Sequence, residues 1–227
     1  MLGDSIKYVE KVEESRQVER IKNFMVNQAI EFIPSYYAVC YYCRAFDGSF
    51  LSPAEYRKRW DRKEVEITHA VISSLIKKCF GEVPLFWFSN RHKDFEDING
   101  ICKKGSFHSD LYIGHIEDKA IEQPSKFLST LIFNAKQSGE SINIDKIGID
   151  SAKKLLLERC IRKAKWVGAH GNSLVLNKVS IEEFDQTFHY GMKDICDLDH
   201  FNQVVDWDNS SFYQATNQSS SLLIKYQ

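Results

Sequence analysis

Two apolar runs frame what this chain can fold into. Pro84 to Ser89 (PLFWFS) and Phe107 to Ile116 (FHSDLYIGHI) both read as strands, rich in aromatic and branched residues. Between them residues 90–105 are polar, with Asp97, Asn99 and Gly100 as turn formers. Strands joined by such a loop are expected to pair as a long antiparallel hairpin. In an extended chain residues two apart share a face. His108, Asp110 and Tyr112 therefore project to one side, while Phe107, Leu111 and Ile113 lean to the other side or to a covered edge. A histidine and a carboxylate side by side on a strand can hold a divalent cation. The plain alternative is that they occupy the solvent face of a half-buried strand.

The rest of the chain supplies partners for that hairpin. Residues 5–32 carry Val18, Ile21, Phe24, Met25, Ala29 and Phe32 at helical spacing, and Pro34 ends the helix. Tyr36 to Phe46 (YYAVCYYCRAF) reads as a buried strand. Ser52-Pro53 opens a helix expected to run from about 53 to 79, closed by Gly81. Later come helices near 124–136 and from Asp150 or Ser151 to Gly168, a strand at Ser173 to Val179, and a helix from the capping box Ser180-Ile181-Glu182-Glu183 to about Cys196. This order predicts an α+β fold, an antiparallel sheet with flanking helices on one face, the other face left for a ligand. Three segments follow: an N-terminal helical segment over 1–34, one α+β domain over 35–200 and a polar tail over 201–227, with 209–221 read as mobile.

Charge and cysteine content narrow the function classes. The chain has 227 residues, 43% of them hydrophobic, and a net charge of -1, so any nucleic-acid binding must come from local patches. Such patches are Arg57, Lys58, Arg59, Arg62 and Lys63; Lys103 and Lys104; and Lys153, Lys154, Arg159, Arg162, Lys163 and Lys165, with Tyr41, Tyr42 or Trp60 as stacking partners for bases. Lys103 and Lys104 adjoin the His108 strand. No run is long and apolar enough to span a membrane, and the six scattered cysteines predict reduced thiols and a cytoplasmic protein.

The chemistry-bearing residues fall in a definite order. His92 lies just past the first hairpin strand and is expected to return near His108 and Asp110, with Asp94 and Glu96 in the same loop. Imidazoles with carboxylates and water suit Mg²⁺ or Mn²⁺. Tyr190 and Lys193 stand three apart, one turn apart on a helix face. A phenol can attack phosphorus while an ammonium offsets phosphate charge or helps remove the phenolic proton. Tyr8 and Lys11 have the same spacing, so the pattern alone is cheap.

Together these motifs resemble those of the HUH endonuclease superfamily, which includes rolling-circle replication initiators, relaxases and related transposases. Tyr37-Ala38-Val39-Cys40-Tyr41-Tyr42 resembles the first motif, His108-Ser109-Asp110-Leu111 the second and Tyr190-Gly191-Met192-Lys193 the third; His92 sits where some plasmid initiators add a ligand. Asp110 stands where the second metal histidine is usual. The resemblance implies a ferredoxin/RRM-like core and a Mn²⁺ or Mg²⁺ ion held by His108, Asp110 and His92. It also implies single-stranded or hairpin DNA as substrate, nicked and rejoined through a phosphotyrosine at Tyr190, with Lys193 assisting. Lys103, Lys104, Arg57, Lys58 and Arg59 would bind the DNA, and host replication proteins would be partners of a plasmid, phage or integrated element. Two rivals stay open. Cys40, Cys43, Cys102 and His108 can be read as a zinc site, and the whole as a non-catalytic DNA- or protein-binding module.

Overall fold

The computed structural model describes residues 2–31, 34–42, 49, 52, 61–91, 95–96, 102–103, 107–137, 144–164, 174–192, 195 and 197–211. Along the chain these form α1 (Leu2–Glu31), β1 (Tyr36–Tyr41), α2 (Arg62–Phe80), β2 (Leu85–Arg91), β3 (Phe95–Glu96), β4 (Cys102–Lys103) and β5 (Phe107–Ile113). Then follow α3 (Lys119–Glu122), α4 (Lys126–Gln137), α5 (Ile144–Ile147), α6 (Ile149–Arg162), β6 (Leu174–Lys178), α7 (Ile181–Gly191) and α8 (Leu198–Val204). Four strands make one sheet in the order β2-β5-β1-β6, every neighbouring pair antiparallel. The β2–β5 hairpin is as the sequence predicts, with Asn90 opposite His108 and Phe88 opposite Asp110. The small β3–β4 pair lies within its connection.

Strand alternation sorts the side chains into two cores. Tyr36, Ala38, Cys40, Leu85, Trp87, Leu111, Ile113, Leu174 and Leu176 face α2, α4 and α6, whose Ile72, Ile76, Leu128, Leu156, Leu157 and Ile161 complete that core. Phe86, Phe88 and Tyr112 point the other way, against Met25 of α1, Phe184 and Phe188 of α7, and Phe201 of α8. Helices thus cover both faces of the sheet, not one as expected. The second layer is built from apolar stripes on α1 and α7, and hydropathy alone does not say which face a stripe covers. The face expected to be open therefore carries an aromatic cluster in which Phe88, Tyr112 and Phe188 meet edge to face.

Boundaries follow local chemistry. α2 starts at Arg62, where Asp61 is extended and closes a capping box with Glu64; residues 53–60, where the helix was expected to begin, lie outside the described residues. Gly81, at φ 82°, ends it. Ser180 and Glu183 form the expected capping box of α7, but that helix stops at Gly191. Asp197 then caps α8 through a hydrogen bond from the His200 N–H. Cys79 and Cys160 meet at 3.3 Å where α2 packs on α6.

Residues 205–211 cover the outer edge of β2. Val205 bridges Phe88, and Asp206 N–H donates to Trp87 O. The Trp87 and Leu85 N–H groups, which face outward from the edge, donate to Ser210 Oγ at 2.9 Å and Ser211 Oγ at 2.7 Å. Asn209 to Ser211, read from composition as the start of a mobile tail, are therefore docked. An edge strand without such cover is a template for aggregation. No helix among the described residues is long and apolar enough to cross a membrane.

Candidate functional site

β1, β2 and β5 bring one row of polar groups onto the α1/α7 face of the sheet. Tyr41, His108 and Asn90 lie abreast across the three strands, with Val39, Asp110 and Phe88 in the next row. His108 Nε2 stands 3.9 Å from Asp110 Oδ2. The residues predicted to act together are thus adjacent on one face, at a separation that a single divalent ion with bonds of about 2.1 Å can bridge. The donor types fit manganese or magnesium. Yet this is not the solvent face of a half-buried strand. Asp110 is only 3% exposed.

Two residues that sequence reasoning passed over hold Asp110. The Tyr37 hydroxyl donates to Asp110 Oδ1 at 2.6 Å, and Asn90 Nδ2 donates to Oδ2 at 2.6 Å. The same Asn90 nitrogen donates to the Gly191 carbonyl at 3.3 Å. Tyr37 also packs on Tyr112, ring centroids 4.9 Å apart. Burial, then the charge and hydrogen bond of Asp110, push the Tyr37 phenol well above its ordinary pKa, so it remains a donor.

α7 is docked on this face at several points. The Tyr112 hydroxyl donates to Thr187 O at 2.5 Å. Gly191 packs so close that a Cβ there would sit 3.4 Å from that hydroxyl. Just past α7, the Ile195 carbonyl accepts from Lys22 of α1, almost buried, at 2.9 Å. Tyr190, the predicted nucleophile, projects from the last turn of α7 and is 61% exposed. Tyr41, beside His108 at 6.1 Å between ring centroids, is 36% exposed. Tyr41 therefore places an exposed phenol at the His108 end of the row.

Other predicted positions distribute differently. His92, Lys104, Arg57, Lys58, Arg59, Lys165 and Lys193 lie outside the described residues, as does the side chain of Lys103. Among the described residues no group of three or more His, Cys, Asp or Glu is placed to hold a metal ion. Several basic residues offered for DNA are committed inside the protein. Arg62 pairs with Glu66 and donates to Val205 O, Lys153 is buried on Asp118, and Arg162 pairs with Glu158. Tyr42 is buried and cannot stack on a base. Cys40 is the cross-strand partner of Ser109, so it faces the α2/α6 core while His108 faces away from it. That separates two members of the zinc alternative; Cys43 and the side chain of Cys102 lie outside the described residues.

A second polar cluster, unforeseen from the sequence, lies on the opposite face. His69 Nδ1 meets Asp206 Oδ2 at 2.5 Å, and its Nε2 meets Ser109 Oγ at 2.7 Å and the Tyr42 hydroxyl at 2.9 Å. Tyr42 donates to Ser109, and Asn209 donates twice to Asp206. With Nδ1–H assigned to the carboxylate, Nε2 accepts from the Ser109 hydroxyl, and the chain of donors closes. Burial holds His69 below the ordinary imidazole range. The Ser-His-Asp order is that of a hydrolase triad, but Ser109 and His69 are 0% exposed and Asp206 is 2%. This cluster joins α2, β1 and β5 to the 205–211 segment and has no access for a substrate.

No family model matches the sequence, and neither a curated protein nor a solved structure is significantly similar to the chain.

Proposed function

We propose that this protein is a metal-dependent nuclease of the HUH type, which nicks single-stranded or hairpin DNA through a phosphotyrosine and rejoins it. The observation that carries the reading is the convergence of His108 and Asp110 on one sheet face with the exposed Tyr190 end of α7 docked beside them. The strand order adds support, since β1, α2, β2, β5, the later helices and β6 follow the β-α-β-β-α-β pattern of ferredoxin-like cores.

In this reading His108 and Asp110, with His92, hold Mn²⁺ or Mg²⁺, which when bound polarises the scissile phosphate. Tyr41 offers a ring on which a base stacks. Lys103, Lys104, Arg57, Lys58 and Arg59 bind phosphates. The Tyr190 oxygen attacks phosphorus as its proton leaves, with Lys193 assisting. The bond from phosphorus to the 3′ oxygen breaks, that oxygen takes up a proton, and the 5′ phosphate stays on Tyr190. The free 3′-hydroxyl can prime rolling-circle synthesis or reverse the step.

A second reading is favoured by one observation. Both Asp110 oxygens already accept hydrogen bonds from within the protein, as they would in a DNA- or protein-binding module that no longer cuts. Incubating the full chain with a labelled library of single-stranded and hairpin DNA plus Mn²⁺ separates the two. A covalent adduct on a denaturing gel, absent in Tyr190→Phe, is expected. Retention of DNA without any adduct supports the binding module, and an adduct unchanged in Tyr190→Phe overturns the assigned nucleophile.

A further inference from the structure

The Asp110 carboxylate is gripped from two sides, and one of the grips also reaches α7. Asn90 has a single amide nitrogen with two hydrogens, and its two neighbours, Asp110 Oδ2 at 2.6 Å and Gly191 O at 3.3 Å, are both acceptors. The orientation of the amide is therefore fixed: the nitrogen faces the carboxylate and the end of the helix. Asn90 sits directly opposite His108 in the β2–β5 register and is half-buried. It thus touches the strand carrying the candidate ligands and the residue that follows Tyr190. Tyr37, from the strand on the other side of β5, takes the remaining carboxylate oxygen at 2.6 Å.

We propose that Asn90 and Tyr37 are positioning residues that aim Asp110 toward His108, Asn90 also fixing the Tyr190 end of α7 to the same carboxylate. The proposal rests on the metal-site reading above and goes beyond it. It assigns the alignment of cation and nucleophile to one amide side chain that bridges them. A carboxylate held by two charge-assisted hydrogen bonds keeps one rotamer, and its direction is set before an ion arrives. The gripped oxygens explain how a nearly buried Asp110 can serve at a position next to an imidazole without swinging away from it.

The test uses Mn²⁺ alone as probe, its free aquo ion followed by electron paramagnetic resonance in titrations of the full chain. Asn90→Ala and Tyr37→Phe are compared with wild type, and melting temperature is measured alongside. Each variant is expected to lower Mn²⁺ affinity about 10- to 100-fold, the range seen when groups behind a ligand are removed. Because both act on one carboxylate, the double variant should lose less than the product of the two. Hydrogen exchange supplies a readout that metal affinity does not. Amides in the peptide 188–192 should exchange faster in Asn90→Ala but not in Tyr37→Phe, since only Asn90 reaches Gly191.

If wild type binds Mn²⁺ and both variants stay within threefold of it, the positioning role is overturned while the metal site stands. If wild type binds no Mn²⁺, both the site and the role built on it fall. Should Asn90→Ala lose its fold, Tyr37→Phe decides, as it keeps the ring that packs on Tyr112; undiminished affinity there overturns the proposal.

Discussion

Replacing His69 by alanine should be among the most damaging single changes in this protein. The ring is fully buried, stacks on Trp87 at 4.1 Å between centroids and 14° between planes, and bonds both Asp206 and Ser109. Its removal leaves the Asp206 carboxylate, 2% exposed, without its 2.5 Å partner. Leaving a buried acceptor unsatisfied costs about 1–3 kcal/mol, and more for a charged one such as this carboxylate. Asn209 still donates to Asp206 at 2.8 and 3.2 Å, which holds this loss to about 3 kcal/mol. The void and the missing stack add about 1 kcal/mol, for an expected total of about 4 kcal/mol. In a chain of this size each kcal/mol moves the melting temperature by about 2–4 °C, so a fall of about 8–16 °C is expected. Tyr42→Phe, which removes one hydroxyl and leaves the Ser109–His69 bond, should cost only about 1 kcal/mol. Urea unfolding of the three proteins measures both. A His69→Ala cost below about 1 kcal/mol, or a Tyr42→Phe cost equal to it, refutes the network reasoning.

The same cluster gives a signed pH dependence. Burial depresses the folded pKa of His69, so the native state keeps the ring neutral where the unfolded chain protonates it. The unfolded state therefore binds the extra proton below about pH 6.5, and stability declines from there as pH falls, by at most about 1.4 kcal/mol per unit. At Asp206 burial pushes the carboxyl up, but the bonds from His69 and Asn209 outweigh it and hold the pKa low. That contribution is present above the unfolded value of about 3.9 and is lost as pH falls through the folded one. The wild-type curve should begin to fall near pH 6.5, and the difference from His69→Ala should shrink across the same window. A difference that stays constant from pH 8 to 5 contradicts the assignment.

Two further substitutions test the packing that positions the sheet. Ser210→Ala strips the acceptor from the buried Trp87 N–H and should cost about 1–3 kcal/mol in urea unfolding, with more aggregation because the β2 edge loses part of its cover. Gly114→Ala would put a Cβ 2.9 Å from Pro84 Cδ in a rigid ring, so a loss of about 1–3 kcal/mol is expected; an unchanged melting temperature would show that the β2 start yields freely.

What the sequence made legible was local. The β2–β5 hairpin, the shared face of His108, Asp110 and Tyr112, and the Ser180–Glu183 cap each depend on residues a few positions apart. The start of α2 was also written locally, in the capping box of Asp61 and Glu64. The second helical layer was not legible, because a stripe such as Phe184 and Phe188 records burial without naming the surface that buries it. Nor were the grips on Asp110 or the His69 cluster. Tyr37, Asn90 and Asp110 come from three strands, and His69, Ser109 and Asp206 from a helix, a strand and a late segment. Ser109 looked like an ordinary polar residue between two candidate ligands, and only the β1–β5 register puts it on the opposite face.

Two phenols compete for the role of nucleophile, Tyr41 beside His108 and Tyr190 at the end of α7 that Asn90 holds, and both are open to solvent. Trapping the DNA adduct with Mn²⁺, digesting it with nuclease and protease, and sequencing the nucleotide-bearing peptide by mass spectrometry identifies the residue directly. The account predicts a single phosphotyrosine, at Tyr190, lost in His108→Ala while that variant still melts near the wild-type temperature. A nucleotide on Tyr41, or no nucleotide on any tyrosine, would contradict it.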